Sequence, residues 1–129
     1  MTDGTVHWRK LREFAGVDLG RSFVLSWRVN GEALLIDVDV FLTSRHPFYE
    51  KPRPAEKVCI RPAVIEFPFC EHLAAGTAAG SEPVDIVEEI PTGAIETMRR
   101  LEDGHYEFVG DFGTVVIDAE RPILRLKAP

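Results

Sequence analysis

Two cysteines and two of the four histidines have the chemistry to hold a metal: Cys59, Cys70, His46 and His72. Thiolate and imidazole are the ligands of tetrahedral zinc, and Cys70 and His72 stand two positions apart. The spacing matches none of the usual close pairs such as C-x-x-C or H-x-x-x-H, and two of the four residues lie inside apolar strand patterns. A zinc set drawn from Cys70, His72 and His46 is therefore the lesser expectation. The greater is two packed free thiols, an exposed His72 imidazole and no bound cofactor.

A carboxylate beside an imidazole can serve as a general base. Glu50, Glu56 and Glu66 are the acids that a folded barrel would carry toward His46 or His105. Nothing in their spacing makes them converge, and no serine lies in a nucleophile-elbow context. Asp111-Phe112-Gly113 copies three letters of a kinase signature without the phosphate loop, strand lysine or catalytic loop that give those letters meaning. It reads as a turn, and no residue is assigned a catalytic role.

Acidic groups offer the remaining chemistry. Asp37 and Asp39 share one parity of an alternating run with Leu35 and Phe41, and carboxylates interleaved with apolar side chains are typical of a partner surface. Glu82, Asp85, Glu88 and Glu89 add to a negative field that would steer a basic partner. Asp37, Asp39 and Phe41, together with His46 and Tyr49 of the following connection, are the binding-face candidates.

The charge balance narrows the classes of partner. The formal net charge is −6 and the sequence pI about 5.2, with the 15 Lys and Arg scattered rather than gathered. Phosphate binding favours a basic stripe, so neither nucleic acid nor an anionic membrane is an expected partner. The N-terminal residues lack the apolar core of a signal peptide and no run approaches the length of a membrane span, which makes the cytoplasm the expected compartment.

These side chains need a scaffold, and residues 21–43 predict its centre. Phe23, Leu25, Trp27 and Val29 alternate with Ser22, Val24, Ser26 and Arg28, Asn30-Gly31 offers a tight turn, and Leu34, Ile36, Val38, Val40 and Leu42 alternate in return. That pattern is a β-hairpin. A two-residue Asn30-Gly31 loop would set Val29 against Glu32, Trp27 against Leu34, Leu25 against Ile36 and Phe23 against Val38.

Around the hairpin the chain predicts further elements. Trp8, Leu11, Phe14 and Ala15, followed by Gly16, suggest a short helix over residues 7–15. Residues 44–56 carry Pro47, Pro52 and Pro54 and form a long connection. Residues 57–69 read as a strand whose apolar parity changes at Pro62, the mark of a bulge at a sheet edge. Such an edge fits a monomer that avoids edge pairing or a dimer joined elsewhere. Residues 71–83 are rich in Ala, Gly, Ser and Thr and read as a mobile loop. Val84, Ile86 and Ile90 suggest a short strand. Ile95, Met98 and Leu101 are spaced for a helix over residues 93–103 while Ala94-Ile95-Glu96-Thr97 would also pass as strand, and the balance leans to the helix. Residues 106–126 alternate as an antiparallel meander with a tight reversal at Gly110–Gly113.

With 129 residues and no boundary, the chain is one domain able to bury roughly two-thirds of its unfolded surface. About seven strands without βαβ alternation predict a mainly β fold, an antiparallel sandwich or partly open barrel with one or two short helices. An α+β arrangement with helices on one face of the sheet is the alternative. The expected core is Phe23, Leu25, Trp27, Leu34, Ile36, Val38, Val40, Ile65, Phe67, Phe108, Val115 and Ile117. The leading functional expectation is an interaction module that binds a basic protein partner through an acidic face. The alternatives are a barrel holding a small ligand or metal at the mouth formed by residues 44–56 and 71–83, and an enzyme using His46 or His105.

Overall fold

Strand β2, Val17–Asn30, and strand β3, Ala33–Leu42, form the predicted hairpin in a computed structural model that describes residues 4–50, 59–77 and 80–127. The two-residue loop is Gly31-Glu32, one position later than expected. Gly31 has φ of 62° while Glu32 keeps a negative φ, the pattern of a type II′ turn. Asn30 therefore pairs with Ala33, and Trp27 faces Ile36 rather than Leu34. This displacement of two residues preserves the faces.

An irregularity at Leu25 does not preserve them. Ser26 pairs with Asp37 but Val24 with Val38, so Leu25 is an extra residue on its strand. A bulge of this kind reverses the parity upstream of it. Val24 and Ser22 are buried, whereas Phe23 and Leu25 are 43% and 51% exposed. Neither belongs to the core that the alternation predicts. Ser22 is satisfied there, donating through Oγ to the Asp18 carbonyl at 2.8 Å and accepting from the Phe41 N–H at 3.2 Å.

Strand β4, Cys59–Phe67, pairs with β3 without a break from Leu34 opposite Phe67 to Leu42 opposite Cys59. The bulge expected at Pro62 is absent. The Pro62 carbonyl accepts from the Lys127 N–H, so its nitrogen faces the same side. There the pairing with the final strand, β10 (Ile123–Leu126), ends at Ala63, and the missing N–H removes nothing from the ladder with β3. Ala63, Ile65 and Phe67 are buried and Ile60, on the opposite parity, is exposed, so one unbroken alternation runs through Pro62.

The other half of the fold comprises β5 (His72–Thr77), β6 (Gly80–Pro83), β7 (Gly93–Arg100), β8 (Tyr106–Gly110) and β9 (Gly113–Asp118), with β1 (Val6–His7) on β7. The strand order is β10-β4-β3-β2-β7-β8-β9-β5-β6, antiparallel throughout. The halves join where Phe23 and Val24 pair with Ala94 and Gly93, beside the bulge. They close on each other through aromatic side chains. Trp27 meets Phe108 and Phe112 edge-on at 6.3 and 5.3 Å, and Phe67 meets Tyr106 and Phe108 at 5.2 and 6.1 Å. The fold is the mainly β, open antiparallel arrangement expected, and ten of the twelve predicted core residues are buried.

Several local expectations fail for identifiable reasons. Residues 7–15 hold two 3₁₀ turns, Trp8–Lys10 and Arg12–Phe14, instead of a helix. Trp8, Leu11 and Phe14 recur every three residues, which is the 3₁₀ period, and all three are buried. Residues 93–100 are strand. A register shift between Ile95 and Thr97 puts both Ile95 and Met98 inward, so a bulged strand imitates helical spacing. The expected mobile loop at 71–83 holds β5 and β6, because Ala74, Ala75 and Gly76 are ordered by backbone pairing to β9 rather than by large side chains. Val84–Ile90 contains a 3₁₀ turn, Val87–Glu89, in place of a strand. The meander stops after β9, since β10 crosses to pair with β4. Ten strands rather than seven result among the described residues.

Candidate functional site

The β8–β9 reversal places Asp111 and Phe112 at the tip of a tight turn. Phe112 turns inward against Trp27 and is 4% exposed, while Asp111 points out. One Asp111 oxygen accepts from the Ala94 N–H at 3.0 Å. Gly93 makes room for this contact: it has φ of 135°, and a Cβ there would lie 2.6 Å from that of Asp111. Alongside runs the segment after β6, held by the Val84 N–H to the Leu73 carbonyl and by the turn bonds from Glu89 and Ile90 to Ile86 and Val87.

Between these pieces lies an open groove of about 630 Å³. Its apolar surface comes from Val84, Ile86, Ile90 and Phe112. Ile90 and Phe112 are buried, whereas Ile86 presents 53% of its surface to solvent. Three exposed carboxylates, Asp85, Glu89 and Asp111, stand around it. No described basic side chain forms an ion pair with any of them. Nor do they gather as a chelating group among the described residues, so their charges suit separate cationic points along a chain better than one ion. Asp85 and Glu89 belong to the acidic cluster visible in the sequence. In the sequence Asp111 has only the pattern of a turn residue, and nothing around it marks it as a neighbour of residues 85–89.

Asp37 has a different setting. It accepts hydrogen bonds from Arg28 at 2.8 Å and from the Ser26 hydroxyl, and Lys127 Nζ lies 3.0 Å away. The Arg28 guanidinium, helped by Ser26 and Lys127, holds its carboxyl well below the usual carboxylate range despite partial burial. Its charge is spent within the sheet. Asp39 sits on the same outer face between Phe23 and Pro62, with Phe41 half-buried nearby.

His46 and Tyr49 lie in the connection after β3. The His46 ring accepts from the Phe48 N–H at 3.0 Å, and burial, then the nearby Arg61, lowers its pKa. Tyr49 packs back on the core edge. Residues 51–58, and with them Glu56, lie outside the described residues. Cys59 pairs with Leu42 at this end of β3, whereas the Cys70 N–H bonds to the Glu32 carbonyl at the other. Ten residues of strand separate the two ends, on the order of 30 Å, so the cysteines and His46 do not meet as one metal set.

Cys70 and His72 stay together, the thiol 3.7 Å from the His72 carbonyl, and burial with the nearby Asp118 charge raises the thiol pKa. His105 sits between Asp103 and Asp118, and Glu66 pairs with Arg125. Among the described residues no helix is long and apolar enough to cross a membrane. Compared with models of protein families, with curated proteins and with solved structures, the chain matches none.

Proposed function

We propose that this protein is a binding module whose groove takes a basic, amphipathic segment of a partner protein. The observation that carries the reading is an open apolar surface ringed by three carboxylates without a cationic partner among the described residues. The two features act on different quantities. Covering Ile86 and Val84 removes apolar surface from water at about 25 cal/mol per Å². Exposed charge pairs add only about 1 kcal/mol each at contact in water, so the carboxylates set on-rate and preference for a cationic segment. The basic partner expected from the sequence is kept, and its site moves from the Asp37–Phe41 face to the groove, because Asp37 already has its cations.

The test is fluorescence anisotropy of two labelled peptides with one apolar pattern, one built on Lys and Leu, the other on Glu and Leu. The reading predicts binding of the Lys peptide alone, weakened by salt and by the double variant Asp85→Lys, Glu89→Lys. Equal binding of both peptides, or affinity unchanged in the double variant, contradicts it.

A further inference from the structure

At the opposite end of β5 from the groove, we infer that Glu71, His72 and Asp118 form a surface site for a divalent transition-metal ion, in which His105 positions Asp118. The sheet register brings the donors together. His72 opens β5 and lies directly opposite Asp118, the last residue of β9. Cross-strand partners project to one face. The next pair, Leu73 and Ile117, turns toward the core, so His72 and Asp118 share the outer face. The Glu71 N–H donates to the Asp118 carbonyl at 2.8 Å and holds the third donor beside them.

One ligand atom from each of the three lies within 4.8 Å of the other two. Around a tetrahedral ion with bonds of about 2.1 Å, donors sit roughly 3.5 Å apart. Glu71 and His72 are exposed and free to rotate into that geometry.

Asp118 is oriented from behind. One of its oxygens lies 3.4 Å from His105 Nε2, and His105 Nδ1 lies 3.0 Å from an Asp103 oxygen. The other Asp103 oxygen accepts from the His105 N–H at 2.9 Å. With its proton on Nε2, His105 holds this Asp118 oxygen from outside the donor set, as outer groups commonly support a ligating side chain. No described Lys or Arg pairs with Glu71 or Asp118, so a cation would relieve their repulsion. One imidazole nitrogen with two carboxylate oxygens suits Zn²⁺, Mn²⁺, Co²⁺ or Ni²⁺, while Mg²⁺ and Ca²⁺ favour all-oxygen sites. Ala75 and Gly76 of β5 reach the groove, roughly 10 Å along the strand from His72, so the two sites are separable.

The experiment is titration of the untagged, chelator-treated chain with Co²⁺, followed by its visible absorption, with Zn²⁺ as competitor and Mg²⁺ as control. The expected result is one Co²⁺ per chain, displaced by Zn²⁺ and not by Mg²⁺. Affinity should fall at least about tenfold in His72→Ala and in Asp118→Asn, with Cys70→Ser and His46→Ala unchanged. His105→Gln should weaken Co²⁺ and shift its absorption band without changing the melting temperature. No Co²⁺ absorption, or binding retained in His72→Ala, overturns the site.

Discussion

The Trp27 indole N–H donates to the Pro91 carbonyl at 2.8 Å, across 64 positions of sequence, tying the centre of the core to the wall of the groove. The same ring lies 5.3 Å from Phe112, which lines the groove from the other side. Trp27→Phe keeps an aromatic ring but removes the donor and part of the volume. The expected cost is about 2 to 4 kcal/mol by urea denaturation. Amide exchange should quicken at residues 86–92. Unchanged exchange there would separate the groove from the core.

Bulging at Leu25 makes a pair of substitutions diagnostic. Ile36→Ala empties a fully buried site and should cost on the order of 2 to 5 kcal/mol. Leu25→Ala acts on a half-exposed side chain and should cost less than about 1 kcal/mol. Equal losses would mean that the strand runs without the bulge.

That bulge also marks the limit of what was legible. Alternation is a local signal, and along the regular ladder it places Trp27, Leu34, Ile36, Val38 and Val40 correctly in the core, although Val29 on the Trp27 parity stays exposed near the turn. An inserted residue leaves no mark of its own in the alternation, so the pattern alone places Phe23 and Leu25 on the wrong face. The same device in β7 turned a strand into apparent helical spacing at Ile95 and Met98. The groove was half legible. Asp85 and Glu89 stand in a visible acidic cluster, but Asp111 joins them only through the pairing of β8 with β9. The His72–Asp118 contact likewise exists only through the register of β5 on β9.

Asp37 sets a pH dependence with a defined sign. Its carboxyl titrates below its ordinary value of 3.8 because Arg28, Ser26 and Lys127 stabilise the charged form. The folded state therefore binds this proton less readily than the unfolded chain. The stabilisation is complete above pH 3.8 and is lost as the pH falls toward the depressed value. Asp37→Asn should cost about 1 kcal/mol at pH 7, since Arg28 and Lys127 are well exposed. The gap from the parent should narrow in urea denaturation at pH 3, and a gap independent of pH would contradict the charge-based account.

Gly93 positions the turn carboxylate. Gly93→Ala forces a side chain into a positive φ and against Asp111. Thermal unfolding should show a loss of about 1 to 3 kcal/mol. Affinity for the Lys and Leu peptide should fall as Asp111 is displaced, and retained affinity would remove Asp111 from the groove's recognition.

The most direct measurement is a ¹H,¹⁵N correlation titration of the labelled protein with the Lys and Leu peptide. The groove predicts that shifts concentrate at residues 84–91 and 111–113, with the Asp37 to Phe41 strand face unmoved. Shifts confined to that face, or none at saturating peptide, would contradict the assignment of the groove as the binding site.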